Sequence, residues 1–400
     1  MNTSDVPAAA GEDDSASAEA PEFGAVLRYF LRLGAVGFGG PIAVVGYMQR
    51  DLVEQRKWFA KQDFLDGVAL GQTMPGPLAA QVAMWVGYLR RGALGALATA
   101  VAFIAPSFLM VCAVAALYAH YSGLAVVQSL FYGIAPAVMA IIAIAAYKLV
   151  KLTDGKDRRA WVISTVVFAV TALTGQEPIY LIIGAGLLLI ALDARPKPRL
   201  PRRKAPDTLP SIAAVPLASA TLGALTSGGT LASLGLFFLK TGALVFGSGL
   251  AIVPLLRDGV VAQHHWLTQA QFLDAVAMGL ITPGPVVITA GFIGYLVAGP
   301  LGAIVAAVAL FTPIYLGVVV PGRWFVRHRD NKQVKAFVTG ATAAAGGALS
   351  GAVVVLTRQA VVDLASAVIA LVALAALLRF KKLPEPYIVV VAGTLGILLH

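Results

Sequence analysis

The chain has 400 residues, of which 58% are hydrophobic and 12% charged, with a formal net charge of +10. A water-soluble domain carries roughly a quarter charged residues, so this composition excludes an ordinary soluble enzyme or binding module and implies apolar spans of on the order of 20 residues. The excess Lys and Arg lie in short loops between apolar runs, which is the placement that orients a membrane protein and not a nucleic-acid surface.

Residues 1–23 read as a disordered cytoplasmic tail: residues 1–27 hold six acidic residues and no Lys or Arg, unlike a signal peptide. Residues 24–193 form a first membrane domain. It opens with two segments, 24–49 and 63–89, each long enough to cross but interrupted, at Gly37 to Pro41 and at Met74 to Pro77. These are expected to be broken or re-entrant helices, with the loop Arg50 to Lys61 inside. The uncharged runs Leu94 to Ala119 and Val126 to Tyr147 are expected to be plain spans. After the basic loop 148–159, two further runs, about 160–174 and 178–193, cross out and back. A basic cytoplasmic linker, 194–210, and an extra connecting helix, 211–229, lead to a second membrane domain, 230–400.

The second domain repeats the first. Phe30 to Pro77 aligns without a gap on Phe238 to Pro285, with 20 of 48 positions identical, including Trp58 with Trp266 and both Pro-Gly-Pro triplets. One residue later drops out, and Gly87-Tyr88-Leu89 then matches Gly294-Tyr295-Leu296 at an offset of 207. Loop charges invert between the copies. The loop 148–159 holds five Lys or Arg, but its counterpart near Arg358 holds one, whereas the loop 323–335 holds five. The expected fold is therefore an all-α polytopic membrane protein of two inverted-topology repeats, about 13 hydrophobic segments in all, with a cytoplasmic N-terminus. The extra helix at 211–229 supplies the change of parity.

Glycine and proline breaks at membrane depth free backbone amides and carbonyls, which only protein or a watery cavity can satisfy. Pro75, Gly76, Pro77 and Pro283, Gly284, Pro285 would each begin a half-helix whose positive end and free amides suit an anion. Gly39 and Gly40, with Gly247 and Ser248, form the facing glycine breaks. Arg32 and Lys240 are equivalent cations just before those breaks, costly at membrane depth and hence candidates for the same anion. Thr73, Gln81, Thr282 and Thr289 could complete an oxyanion shell through hydroxyl and amide donors. Asp66 and Asp274 are also equivalent. Each reads either as a helix N-terminal charge or as a proton-coupling carboxyl. His264 and His265 have no spacing partner and Cys112 is alone, so no metal and no cofactor is expected. No nucleophile, metal cluster or carboxylate dyad suggests an enzyme.

The blocks FLRLGAVGFGGP (30–41), FLDGVALGQTMPGP (64–77), FLKTGALVFGSG (238–249) and FLDAVAMGLITPGP (272–285) resemble the chromate ion transporter family, in its long two-domain form. The resemblance implies export of chromate across the bacterial inner membrane, giving chromate resistance, with sulfate as a mimic and the proton motive force as driver. Expected partners are the oxyanion, protons as coupling ion and the bilayer, without nucleic acid; a homodimer is left open. A passive anion channel, or a sulfate transporter working in the uptake direction, stand as alternatives.

Overall fold

The computed structural model describes residues 22–38, 40–155, 157–175, 179–193, 229–246, 249–322, 324, 331–380 and 384–399. The acidic tail to residue 21, the linker and the extra helix to residue 228, and the breaks' Gly39, Gly247 and Ser248 lie outside the described residues. Among the described residues there are helices and no strands.

Each repeat opens with two hairpins. In the first, α1 (Phe23–Val36) is followed by α2 (Gly40–Met48) and a π-helical turn, Gln49–Gln55. The chain doubles back on itself: the Tyr29 hydroxyl donates to Asp51 Oδ2 at 3.4 Å, and the Arg56 guanidinium lies 5.4 Å from the Tyr29 ring and 4.6 Å from that of Trp58. The second hairpin joins α3 (Lys61–Thr73) to the first arm of α4 (Leu78–Tyr121) through Pro75-Gly76-Pro77. Trp85 Nε1 donates to Asp63 O at 2.8 Å, and a methyl group at Gly67 would overlap the Trp85 indole, so the two arms pack antiparallel. Helix α3 has 13 residues and spans about 20 Å, too short for a hydrocarbon core of about 30 Å. The segment 63–89 is thus a helical hairpin whose two arms return side by side.

Helix α4 is really two arms. Arg91 (φ −136°) and Gly92 (φ +57°) leave helical geometry, and Gly87 and Gly95 then meet backbone to backbone. In a straight helix, positions eight apart stand about 12 Å apart. The chain therefore reverses at Gly92, and 93–121 is a separate arm of 29 residues. It is followed by α5 (Ala125–Asp154), α6 (Arg158–Thr174) and α7 (Ile179–Asp193).

The second repeat copies this order. Helix α8 (Thr230–Ala243) pairs with a short 3-10 turn, α9 (Ile252–Arg257) and a π-helical turn, Asp258–Gln263. Phe237 stands where Tyr29 does and packs on Trp266 at 5.7 Å. Helix α10 (Gln269–Ile281) begins with the expected capping box, Thr268 with Gln271. After Pro285, α11 (Thr289–Val319) reverses at Ala298-Gly299, with Gly294 against Gly302. Helices α12 (Lys332–Ala360), α13 (Leu364–Arg379) and α14 (Glu385–Leu399) complete the chain.

The repeats interlock. The small residues of α12 admit the other repeat at backbone contact: Gly347 meets Ser164, Gly340 meets Ala185, and Ser164 Oγ donates to Ala343 O at 2.9 Å. That is the close helix packing expected of a run of Gly, Ala and Ser in a bilayer. Gly133 of α5 meets Gly396 of α14 in the same way. Large apolar side chains such as Leu94, Leu109, Leu173, Tyr180, Leu371 and Leu398 face outward, as lipid-contacting residues do. The segments Leu78–Tyr121, Ala125–Asp154, Val286–Val319 and Lys332–Ala360 are long and apolar enough to cross a membrane.

Candidate oxyanion site where the two repeats cross

The hairpin tips meet in reciprocal fashion. The Gly76 amide donates to Val245 O at 2.6 Å, and the Gly284 amide donates to Gly37 O at 3.2 Å. Gly76 and Gly284 are equivalent in the repeat, and so are Gly37 and Val245. Each Pro-Gly-Pro tip is thus bonded to the glycine break of the other repeat, and the two bonds are copies of one another.

Both amides need glycine. Gly76 has φ +142° and Gly284 φ +103°, backbone that L residues rarely adopt. A methyl group at Gly76 would come within 2.8 Å of Ile314 Cγ2, and one at Gly284 would overlap Ser107 Oγ. Ile314 and Ser107 are again equivalent, each contributed by the opposite repeat. Ser107 is buried and donates to Gly34 O at 3.1 Å. It follows Pro106 in an apolar run, and only its neighbour marked it in the sequence.

The sequence led us to expect free amides at the tips. In this arrangement Gly76 and Gly284 are instead satisfied by carbonyls across the repeat boundary, because a buried, unpaired amide costs about as much as a lost hydrogen bond. Gln81, fully buried, turns Nε2 onto Met74 O at 3.2 Å and Pro75 O at 3.0 Å, and so caps carbonyls that the break has freed. The threonines bond back to their own chain: Thr73 to Ala69 O at 2.7 Å, Thr282 to Met278 O at 2.7 Å and Thr289 to Val286 O at 2.8 Å. Pro77 and Pro285 stand just before helical turns, where no amide is missed, and Pro41 lies in the first turn of α2. Gly40 takes φ +76° at the start of α2, and Pro75 and Pro283 complete the tips. The tips converge further at Gly249, where a methyl group would stand 3.9 Å from Pro77 Cβ.

The cations are placed differently. Arg32 and Lys240 lie on exposed faces of α1 and α8, one turn before the breaks, and not among the buried tip groups. Asp66 and Asp274, in contrast, are only 7% and 8% exposed. Gln62 Nε2 donates to Asp66 Oδ1 at 2.9 Å, and the Tyr118 hydroxyl donates to Asp274 Oδ2 at 2.6 Å. The second bond joins the repeats and was not legible in the sequence, although a Tyr in an apolar run usually finds a partner for its hydroxyl. His264 is exposed and stacks on Trp266 at 4.2 Å, so it is a surface residue as expected. Among the described residues no cluster of His, Cys, Asp and Glu could hold a metal.

The family model described as chromate transporter matches residues 24–190 and 232–397, one match to each repeat. The chain belongs to the chromate transporter family. A chromate transport protein of Cupriavidus metallidurans is 50% identical over 376 residues, covering 94% of this chain and 92% of the relative. A probable chromate transport protein of Synechococcus elongatus is 48% identical over 379 residues, covering 93% and 94%. A chromate transport protein of Pseudomonas aeruginosa is 30% identical over 391 residues, covering 92% and 90%. No solved structure matches. Family membership and the apolar helices together make the chain a multi-pass membrane protein.

Proposed function

We propose that this member of the chromate transporter family is a secondary active transporter that exports chromate and sulfate-like divalent oxyanions, driven by the proton motive force. The observation that carries this reading is the reciprocal pair of bonds from Gly76 to Val245 and from Gly284 to Gly37. Each amide sits at the start of a half-helix, where charge and hydrogen-bond donors favour an anion. An oxyanion that takes over these two amides must displace the carbonyl of the opposite repeat. Substrate binding and movement of one repeat against the other would then be a single event, as alternating access requires.

Arg32 and Lys240 are assigned to bring the oxyanion to the breaks, supplying two positive charges for two negative ones. Ser107 and the amides of the tips would orient it. Inverted topology is supported by the placement of the long arms. Tyr118, near the end of the arm 93–121, bonds Asp274 in the hairpin of repeat two. Tyr315, near the end of α11, bonds Ala93 O at 3.0 Å, at the mouth of the hairpin of repeat one. An arm of 29 residues spans about 43 Å, so the two mouths would open on opposite faces of the bilayer.

Purified protein in vesicles, under imposed gradients of chromate, sulfate and protons, tests this. Chromate flux accelerated by a proton gradient and competed by sulfate is expected. Arg32→Ala or Lys240→Ala should lower the flux at least tenfold and remove chromate resistance from cells while leaving the protein in the membrane. Flux unaffected by the proton gradient would mark a passive channel, and wild-type resistance in both variants would remove the cations from the site.

A further inference from the structure

The two equivalent acids are not equal. Asp274 lies in the second turn of α10, enclosed by protein, and receives a 2.6 Å hydrogen bond from Tyr118 across the repeat boundary. Tyr118 is itself held in an aromatic wall, 5.3 Å from Phe131 and 5.5 Å from Phe292. In the sequence, the position equivalent to Tyr118 is Phe325, which carries no hydroxyl. A buried carboxyl is costly as an anion unless it is paired or hydrogen-bonded.

We propose that Asp274 is the carboxyl that takes up and releases the transported proton, and that Tyr118 is the residue that positions it. This rests on the transport reading above. Tyr118 holds one carboxyl oxygen, Oδ2, and Oδ1 is the atom that takes the proton. The bond joins an arm of repeat one to a hairpin of repeat two, so any movement of one repeat against the other must stretch or break it. Breaking it withdraws a donor from the carboxylate and favours the neutral acid; remaking it favours proton release. Proton binding and repeat movement are thereby tied at one atom pair.

Among the described residues, Tyr118 is the titratable side chain bonded to Asp274. On the elements packed against α10, Tyr132 of α5 is bonded to Asp363, Arg257 of α9 to Gly175 O, and Asp258 to Gln263, while Glu385 stands at the first position of α14. No ion pair to Asp274 occurs among the described residues.

The test uses the full chain in vesicles and two readouts. One is chromate–chromate exchange, which needs the substrate site but no net proton. The other is the acceleration of net chromate flux by a pH gradient. Asp274→Asn should keep exchange within about twofold and lose the acceleration. Tyr118→Phe should keep both, with the pH at half-maximal acceleration moved upward by on the order of one unit, because the charged carboxyl has lost a donor. Acceleration retained by Asp274→Asn, or an unmoved midpoint in Tyr118→Phe, would overturn the assignment. Wild-type vesicles without any chromate flux would overturn the transport reading and this one with it.

Discussion

At the scale of single residues, the repeat boundary depends on glycines that nothing else can replace. Gly284 combines φ +103° with a neighbour, Ser107, that would overlap any side chain. Gly284→Ala should cost on the order of 1–3 kcal/mol in backbone strain and more in displaced packing, and should remove transport. Thermal unfolding in detergent measures it; an unchanged midpoint with full flux would mean that the tip is not held as described. The Pro-Gly-Pro triplets were plain in the sequence because two copies stood in register. Their partners were not. Gly37 and Val245 are equivalent positions with different side chains, and they meet the tips through backbone carbonyls, which no residue pattern announces. Tyr118 was hidden for a related reason: its hydroxyl sits in an uncharged apolar run that reads as an ordinary span.

At the scale of elements, the sequence placed the breaks, but hydrophobicity could not say whether a broken segment crosses or returns. The 13-residue length of α3 and α10, and the bond from Trp85 to Asp63 O in repeat one, favour return in the Pro-Gly-Pro hairpins, and we propose that they re-enter. The turn at Gly92 falls between the segments 63–89 and Leu94 to Ala119 that the sequence already separates, and Gly299 is its counterpart in the second repeat. Gly92 (φ +57°) and Gly299 (φ +63°) have open space where a side chain would project. Gly92→Ala and Gly299→Ala should therefore show backbone strain alone, each destabilising by on the order of 1–3 kcal/mol with chromate flux largely kept. Equal stability of these variants and the wild type would argue that 78–121 is a continuous helix after all. Arg32 and Lys240 show the opposite limit: the sequence marked them as cations in an apolar segment, but only coordinates say that they stand on the exposed side of α1 and α8.

At the scale of the whole molecule, one operation relates most of what matters. The bonds from Gly76 to Val245 and from Gly284 to Gly37, the contacts of Ile314 and Ser107, and the reversals at Gly92 and Gly299 are each one feature present twice. The copies have drifted where function would need direction: Arg32 against Lys240, Gln81 against Thr289, Tyr118 against Phe325. A transporter built from two identical halves could bind an oxyanion between them, but it would have no reason to take the proton on one side in preference to the other. The proposal that the halves oppose one another in the bilayer underlies the site, the moving boundary and the proton path alike. It is tested most directly by side-specific labelling of single cysteines in a Cys112→Ala background. Arg91→Cys and Ala298→Cys are equivalent positions at the two helix reversals. A membrane-impermeant maleimide applied to intact cells and to inverted vesicles should reach Arg91→Cys only from the cytoplasmic face and Ala298→Cys only from the other. Labelling of both from the same face would contradict the opposed repeats and the shared site built on them.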